Sequence, residues 1–161
     1  MHIVQEVTTP LKNARVVNSM NVNTREGLMG PVKLIEYKDA NAQVRAVYDD
    51  IMATRKTDRV NNFWKALAND PVTLRRTWES VKQIMAPGAL DPLTKELIYV
   101  AVSVTNQCRY CMTTHTASAT NKGMTDAMFH EMMAIVGLAN QNNRLAEGYQ
   151  VEIDDCFKEQ S

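Results

Sequence analysis

Apolar side chains recur along this chain at helical rather than strand intervals. From about Ala42, residues Val44, Val47, Tyr48, Ile51 and Met52 follow an i, i+3, i+4, i+7, i+8 pattern, which predicts a helix with one stripe turned to a core. A polar loop over 55–62 leads to a short apolar helix, Phe63-Trp64-Lys65-Ala66-Leu67-Ala68. Asp70-Pro71 then combines an N-cap with proline at the first helical position, predicting a helix that buries Leu74, Trp78, Val81 and Met85 and ends at Pro87-Gly88. Asp91-Pro92 repeats the signal for a helix through about Val104, with Leu93, Leu97, Val100, Ala101 and Val104 on one face. After a tight reversal at Asn106-Gln107, Cys108 opens a helix that closes at Gly123, a residue suited to the left-handed position past a helix end. Thr125 caps the next helix, where Met128, Met132, Ile135 and Val136 form a stripe that runs on toward Gly148. No period-two alternation persists, so the expected fold class is all-α, a single helical domain of about six or seven helices.

Residues 1–38 lack this periodicity. Asn13, Asn18, Asn21, Asn23, Gly27, Gly30 and Pro31 interrupt any helix, so the segment is expected to be an irregular N-terminal arm. Apolar patches at Arg15-Val16-Val17 and Lys33-Leu34-Ile35 would lay it across the domain or a neighbouring subunit; a loose tail is the alternative. The helical domain then spans 39–153, and 154–161 form an acidic C-terminal tail.

Composition narrows the function classes. The chain has 161 residues, 45% hydrophobic against 22% charged, enough for one domain with a real core. Eighteen Lys and Arg balance eighteen Asp and Glu, with no basic run to grip nucleic acid. No apolar run reaches bilayer length and residues 1–7 show no leader pattern, so a soluble, cytoplasmic protein without a membrane partner is expected. Three cysteines are too few for a secreted disulfide framework; two of them form a C-x-x-C, which in a reducing compartment points to redox or metal chemistry.

That pair, Cys108-Arg-Tyr-Cys111-Met-Thr-Thr-His115, is where chemistry concentrates. Thiols at i and i+3 near a helix start can close a disulfide, and an imidazole four residues past Cys111 can take its proton. If helices 92–104 and 108–122 form an antiparallel hairpin, Glu96 and His115 both lie ~12 to 14 Å from the turn and stand level with each other. Glu96, His115 and Cys111 then line up as carboxylate, imidazole and thiol. Glu96 is flanked by Leu93, Leu97 and Val100 at helical spacing, so it faces inward and needs a partner. Cys108, at the helix start, has the dipole in its favour as nucleophile, whereas Cys111 has the base; these arguments leave the order of the two sulfurs open.

Other readings compete. A structural zinc half-site would need His115, His130, Cys156 or carboxylates to complete four ligands, and gives a zinc-stabilised helical binding module. A disulfide reductase or dithiol carrier would use the same pair for thiol–disulfide exchange alone. Trp64 and Trp78 read as core, Met124, Met128 and Met132 as core or subunit interface, and Cys156 has no assigned role.

The same residues carry a family resemblance. Leu93-Thr94-Lys95-Glu96, then Cys108-x-x-Cys111-x-x-x-His115 with Glu96 twelve residues before Cys108, resembles the signature of alkyl hydroperoxidase D (AhpD)-like proteins of the carboxymuconolactone decarboxylase superfamily. Asn62-Phe63-Trp64-Lys65-Ala66-Leu67, Pro87-Gly88-Ala89-Leu90-Asp91, Gly137-Leu138 and Asn143-Arg144 are similar to peroxidase-related members. The resemblance implies a helical homo-oligomer, a trimer or a multiple of one, that reduces hydrogen peroxide or organic hydroperoxides without cofactor or metal. It implies Cys111 as the peroxidatic and Cys108 as the resolving cysteine, His115 as proton relay, Glu96 as base and an external dithiol or thioredoxin-like reductant as partner. One departure stands out. Tyr110 occupies a position where peroxidase members often carry a histidine, and a phenol near neutrality donates a hydrogen bond but is a poor proton acceptor, so its expected part is substrate positioning. The decarboxylase branch generally lacks the cysteine pair, which disfavours that activity.

Overall fold

The structure, a computed structural model, describes residues 31–158. Among them the chain forms seven α-helices and no strand: α1 (Ala42–Arg55), α2 (Asn62–Leu67), α3 (Pro71–Met85), α4 (Pro92–Thr105), α5 (Arg109–Asn121), α6 (Asp126–Gly148) and α7 (Asp155–Lys158). The starts are set by short polar side chains that satisfy the free N–H groups of the first turn. Asn41 accepts from Val44, Asp70 from Val72 and Thr73, Asp91 from Leu93 and Thr94, and Thr125 from Met128. The polar loop expected over 55–62 contracts to 56–61, because Arg55 completes α1, Lys56 turns left-handed to end it, and Asn62 already belongs to α2.

Two apolar clusters hold these helices. Val44, Val47, Tyr48 and Ile51 of α1 pack with Val60, Trp64, Ala68, Leu74 and Trp78, so the N-terminal three helices share one core. Trp64 and Trp78 meet edge to face, 5.4 Å apart, with the Arg55 guanidinium over both rings. The second cluster is smaller: Val100 of α4 with Met132 and Val136 of α6, flanked by Leu97, Phe129 and Met133. Ile135, expected in the buried stripe of α6, is instead 60% exposed. It lies about 60° round the helix from Met132, on the side away from Val136, and α4 covers only the strip those two define.

The segment before α1 is tied down where it is described. Ile35 donates its N–H to the Lys65 carbonyl, its own carbonyl accepts from the Tyr48 hydroxyl, and Asn69 Nδ2 donates to the Lys33 carbonyl. The Lys33-Leu34-Ile35 patch therefore lies along α1 and α2; residues 1–30 of the arm, including Arg15-Val16-Val17, lie outside the described residues. No helix among the described residues is long and apolar enough to cross a membrane.

What positions the site is the pairing of α4 with α5. Cys108 N–H donates to the Ser103 carbonyl beside the turn, while residues 115, 118 and 122 of α5 meet Glu96 of α4. The two helices thus run antiparallel through a reversal in which Gln107 takes a positive φ of 57°. At the far end of α5, Gly123 (φ 98°) accepts the left-handed turn, and Met124 N–H reaches back to the Ala119 carbonyl.

Candidate active site

Cys108 is the N-cap of α5 and Cys111 lies in its first turn, so the C-x-x-C spacing brings their Cα atoms to 5.4 Å, and the two are joined in a disulfide. The Cys111 N–H donates to Cys108 Sγ at 3.3 Å, as an N-cap side chain accepts from its helix. Both sulfurs are partly buried and belong to the wall of a cavity of about 660 Å³. Ile84, Met85 and Leu90, from the end of α3 and the following loop, form one side; Ile98, Tyr99 and Val102 of α4 form the other. The lining is chiefly apolar, and its one ammonium, Lys95, is turned aside to the Ile84 and Ala86 carbonyls at the end of α3.

One helical turn beyond Cys111, His115 Nδ1 lies 2.7 Å from Glu96 Oε2. Glu96 is buried, with 6% of its side chain exposed, and its other oxygen accepts from Ser118 Oγ at 2.8 Å and Lys122 Nζ at 2.9 Å. Burial raises the Glu96 pKa, yet the hydrogen bonds from His115, Lys122 and Ser118 outweigh it and hold the carboxyl at about 2. An ionised carboxylate only accepts, so Nδ1 of His115 carries the proton and Nε2 is the nitrogen left to act as a base. Tyr99 stacks on the imidazole, ring centroids 3.5 Å apart and planes 14° off parallel. His115 is thereby fixed by a hydrogen bond at its edge and an aromatic ring on its face. In this disulfide form no hydrogen bond joins His115 to either sulfur.

Tyr110 sits elsewhere. Its hydroxyl accepts from the Phe63 N–H at 3.2 Å, at the start of α2, and the residue is not part of the cavity wall. The tyrosine in the unusual position ties α5 to the N-terminal core. Cys156 is exposed on α7 and unpaired. Among the described residues no three His, Cys, Asp or Glu side chains converge as a metal-binding group.

Three contributors escaped the sequence reading although their spacing contains the signal. Ser118 and Lys122 are three and seven residues past His115, hence on its face of α5, and Tyr99 is three residues past Glu96 on α4.

The fold and site define a helical protein with a C-x-x-C disulfide beside a buried carboxylate–imidazole pair. The profile of the carboxymuconolactone decarboxylase family matches residues 71–151, from the start of α3 past the end of α6, and the chain belongs to this family. Within it the chain is AhpD-like: it is 52% identical to the crystal structure of the alkylhydroperoxidase AhpD core from Rhodospirillum rubrum, with a TM-score of 0.76, over 80% of this chain and 97% of that one. It is also 38% identical, over 72 aligned positions, to uncharacterized protein 4 in the cox locus of Paracoccus denitrificans, an alignment covering 40% of this chain. The match spans 65% of that curated relative's length.

Proposed function

We propose that this protein is a thiol-dependent hydroperoxidase that reduces hydrogen peroxide or organic hydroperoxides, an antioxidant activity carried by Cys108 and Cys111. The observation behind this reading is the meeting of a C-x-x-C disulfide, an apolar cavity and a Glu96–His115 pair one helical turn from Cys111. The likeness to a structure titled alkylhydroperoxidase supports the same class.

In the reduced protein, the Cys111 thiol passes its proton to His115 Nε2, and Glu96 steadies the charge that forms on the ring. The thiolate attacks the terminal oxygen of the hydroperoxide. An S–O bond forms as the O–O bond breaks, and the electron pair departs on the alkoxide, which takes the proton from His115 and leaves as an alcohol. The Cys108 thiol then attacks the Cys111 sulfenic acid, releasing water and closing the disulfide. An external dithiol, small or thioredoxin-like, restores both thiols by exchange, and a reducing compartment such as the cytoplasm supplies it. No cofactor enters these steps. Tyr110 acts at a distance, by holding the start of α5 against α2.

The cavity favours a substrate with an apolar body. Burying about 100 Å² of such a substrate is worth about 2.5 kcal/mol, a factor of tens in kcat/KM. Reduced protein mixed with cumene hydroperoxide should lose two thiols per peroxide consumed, at a kcat/KM at least about tenfold above that for hydrogen peroxide. Thiols that resist both peroxides but exchange readily with a disulfide would replace this reading with a dithiol carrier.

We also propose that the protein is a homo-oligomer, a trimer or a multiple of one. The α4–α6 cluster is small, and Ile135, Leu138 and Leu145 of α6 stand exposed, apolar side chains that a second copy would cover. Light scattering at micromolar concentration should give a multiple of the chain mass, and a monomer would refute the assembly.

A further inference from the structure

Three side chains of α5 converge on one carboxylate. His115, Ser118 and Lys122 stand at i, i+3 and i+7, a single stripe of the helix, and Glu96 receives all three. The two oxygens divide the work: Oε2 faces the imidazole, while Oε1 faces the Lys122 ammonium and the Ser118 hydroxyl, and Lys122 Nζ also donates to Ser118 Oγ at 2.8 Å.

The arrangement bears on how many protons the Cys111–His115 pair holds. A buried carboxylate beside an imidazole favours the charged ring. That preference helps the ring accept one proton from Cys111, but unopposed it also lets the pair take a second proton from solvent. Counting only protons beyond the one fixed on Nδ1, a pair holding two is a thiol facing an imidazolium, with neither a thiolate nor a free base. An ammonium on the far oxygen of the same carboxylate opposes this second uptake. We propose that Lys122 is a positioning residue of the relay, its ammonium balancing Glu96 so that the Cys111–His115 pair holds one proton rather than two near neutral pH. The proposal rests on the reading of His115 as proton acceptor for Cys111.

The other groups around the pair leave this part to Lys122. Tyr99 of α4 meets His115 through its ring face. Arg55 of α1 acts on Glu96 only through its field, its guanidinium lying over Trp64 and Trp78. Lys95 of α4 is bonded to the end of α3, and α6 presents Phe129, Met132, Met133 and Val136 to α4, none of them titratable. The remaining titratable groups on the stripe are the cysteines themselves. Lys122, at the C-cap of α5 and about a third exposed, can be exchanged without opening the core.

The test uses the full chain with Lys122→Met and Lys122→Arg. The pH midpoint of the His115 ring signal, read by NMR on the disulfide form among only three histidines, should rise by about one unit in Lys122→Met and return in Lys122→Arg. In the reduced protein, the acid limb of Cys111 alkylation by iodoacetamide, resolved by site with mass spectrometry, should shift upward with it. A lowered melting temperature with a parent-like His115 midpoint would mean that Lys122 serves only structure, and would overturn the proposal. The underlying reading has its own control: an alkylation profile that ignores His115→Gln would overturn the relay itself, whatever Lys122 does.

Discussion

Exchanging Cys111 for serine brings hydroperoxide consumption down to the uncatalysed rate, whereas Cys108→Ser leaves the first half of the reaction intact. The asymmetry follows from what each sulfur does. Attack on an O–O bond needs a polarisable anion that forms near neutral pH, which a thiol of ordinary pKa ~8.5 beside a base supplies and a serine hydroxyl does not. The resolving thiol is needed only after the sulfenic acid exists. In Cys108→Ser one equivalent of peroxide is consumed, turnover then stops, and Cys111 becomes labelled by a dimedone-type probe. Stopped-flow peroxide consumption and site-resolved mass spectrometry read both variants. A Cys111→Ser protein that consumes one equivalent of peroxide and then stops would show that the roles are reversed, and a fully active one would take Cys111 out of the reaction. An unlabelled, fully active Cys108→Ser protein would remove the intramolecular disulfide from the cycle.

The second large effect is at Glu96, and it appears in both stability and rate. Glu96 is held at about 2 in the folded protein against an ordinary 4.5, so its ionised form favours the fold. A depressed carboxylate contributes stability that is fully present above the unfolded value. It is lost as pH falls from about 4.5 to about 2, where the folded group takes its proton. A shift of this size corresponds to stability on the order of 3 kcal/mol at neutral pH. Chemical denaturation of the parent should therefore show a steep loss over that acid window, and Glu96→Gln should be weaker at neutral pH and flatter across the window. The rate carries a separate signature. Glutamine keeps the shape but not the charge that makes the imidazolium stable, so kcat/KM at neutral pH should fall roughly a hundredfold. That loss should shrink as pH rises toward ~8.5, where hydroxide from bulk water takes the thiol proton. A rate loss independent of pH, alongside a lowered melting temperature, would leave Glu96 a structural role only.

Lys122 and Glu96 have opposite parts in this scheme. The carboxylate keeps one proton on the Cys111–His115 pair, and the ammonium keeps a second away. Both variants should thus weaken Cys111 alkylation near neutral pH, Glu96→Gln by withdrawing support for the imidazolium and Lys122→Met by letting the pair take a second proton.

Much of this molecule is determined by sequence alone, because the signals concerned act within a few residues. Asp70, Asp91 and Thr125 begin helices by accepting from N–H groups two or three positions on. Gly123 ends α5 because the left-handed turn it adopts is strained for a side chain. The stripe of Val44, Val47, Tyr48 and Ile51 needs only the helical repeat to become a buried face. Likewise the spacing from Cys108 to Cys111 is enough to bring two sulfurs into bonding range on one turn.

Other features were decided by segments that meet only after folding. Helical spacing places Ile135 near Met132, but the width of the α4 contact leaves it exposed. The phenol of Tyr110 is drawn to the start of α2, 47 residues away in the chain, and no local pattern around the cysteines encodes that partner. The cavity owes one wall to the end of α3 and its loop, far in sequence from the disulfide it borders. Glu96 could be read as inward-facing, yet its charge state depends on which donors the facing helix brings within 3 Å, namely His115, Ser118 and Lys122. Short-range sterics and capping act before the chain has folded and leave a mark in the sequence. The ionisation of a buried group depends on the donors and the dielectric that packing assembles around it, and only the tertiary structure determines those.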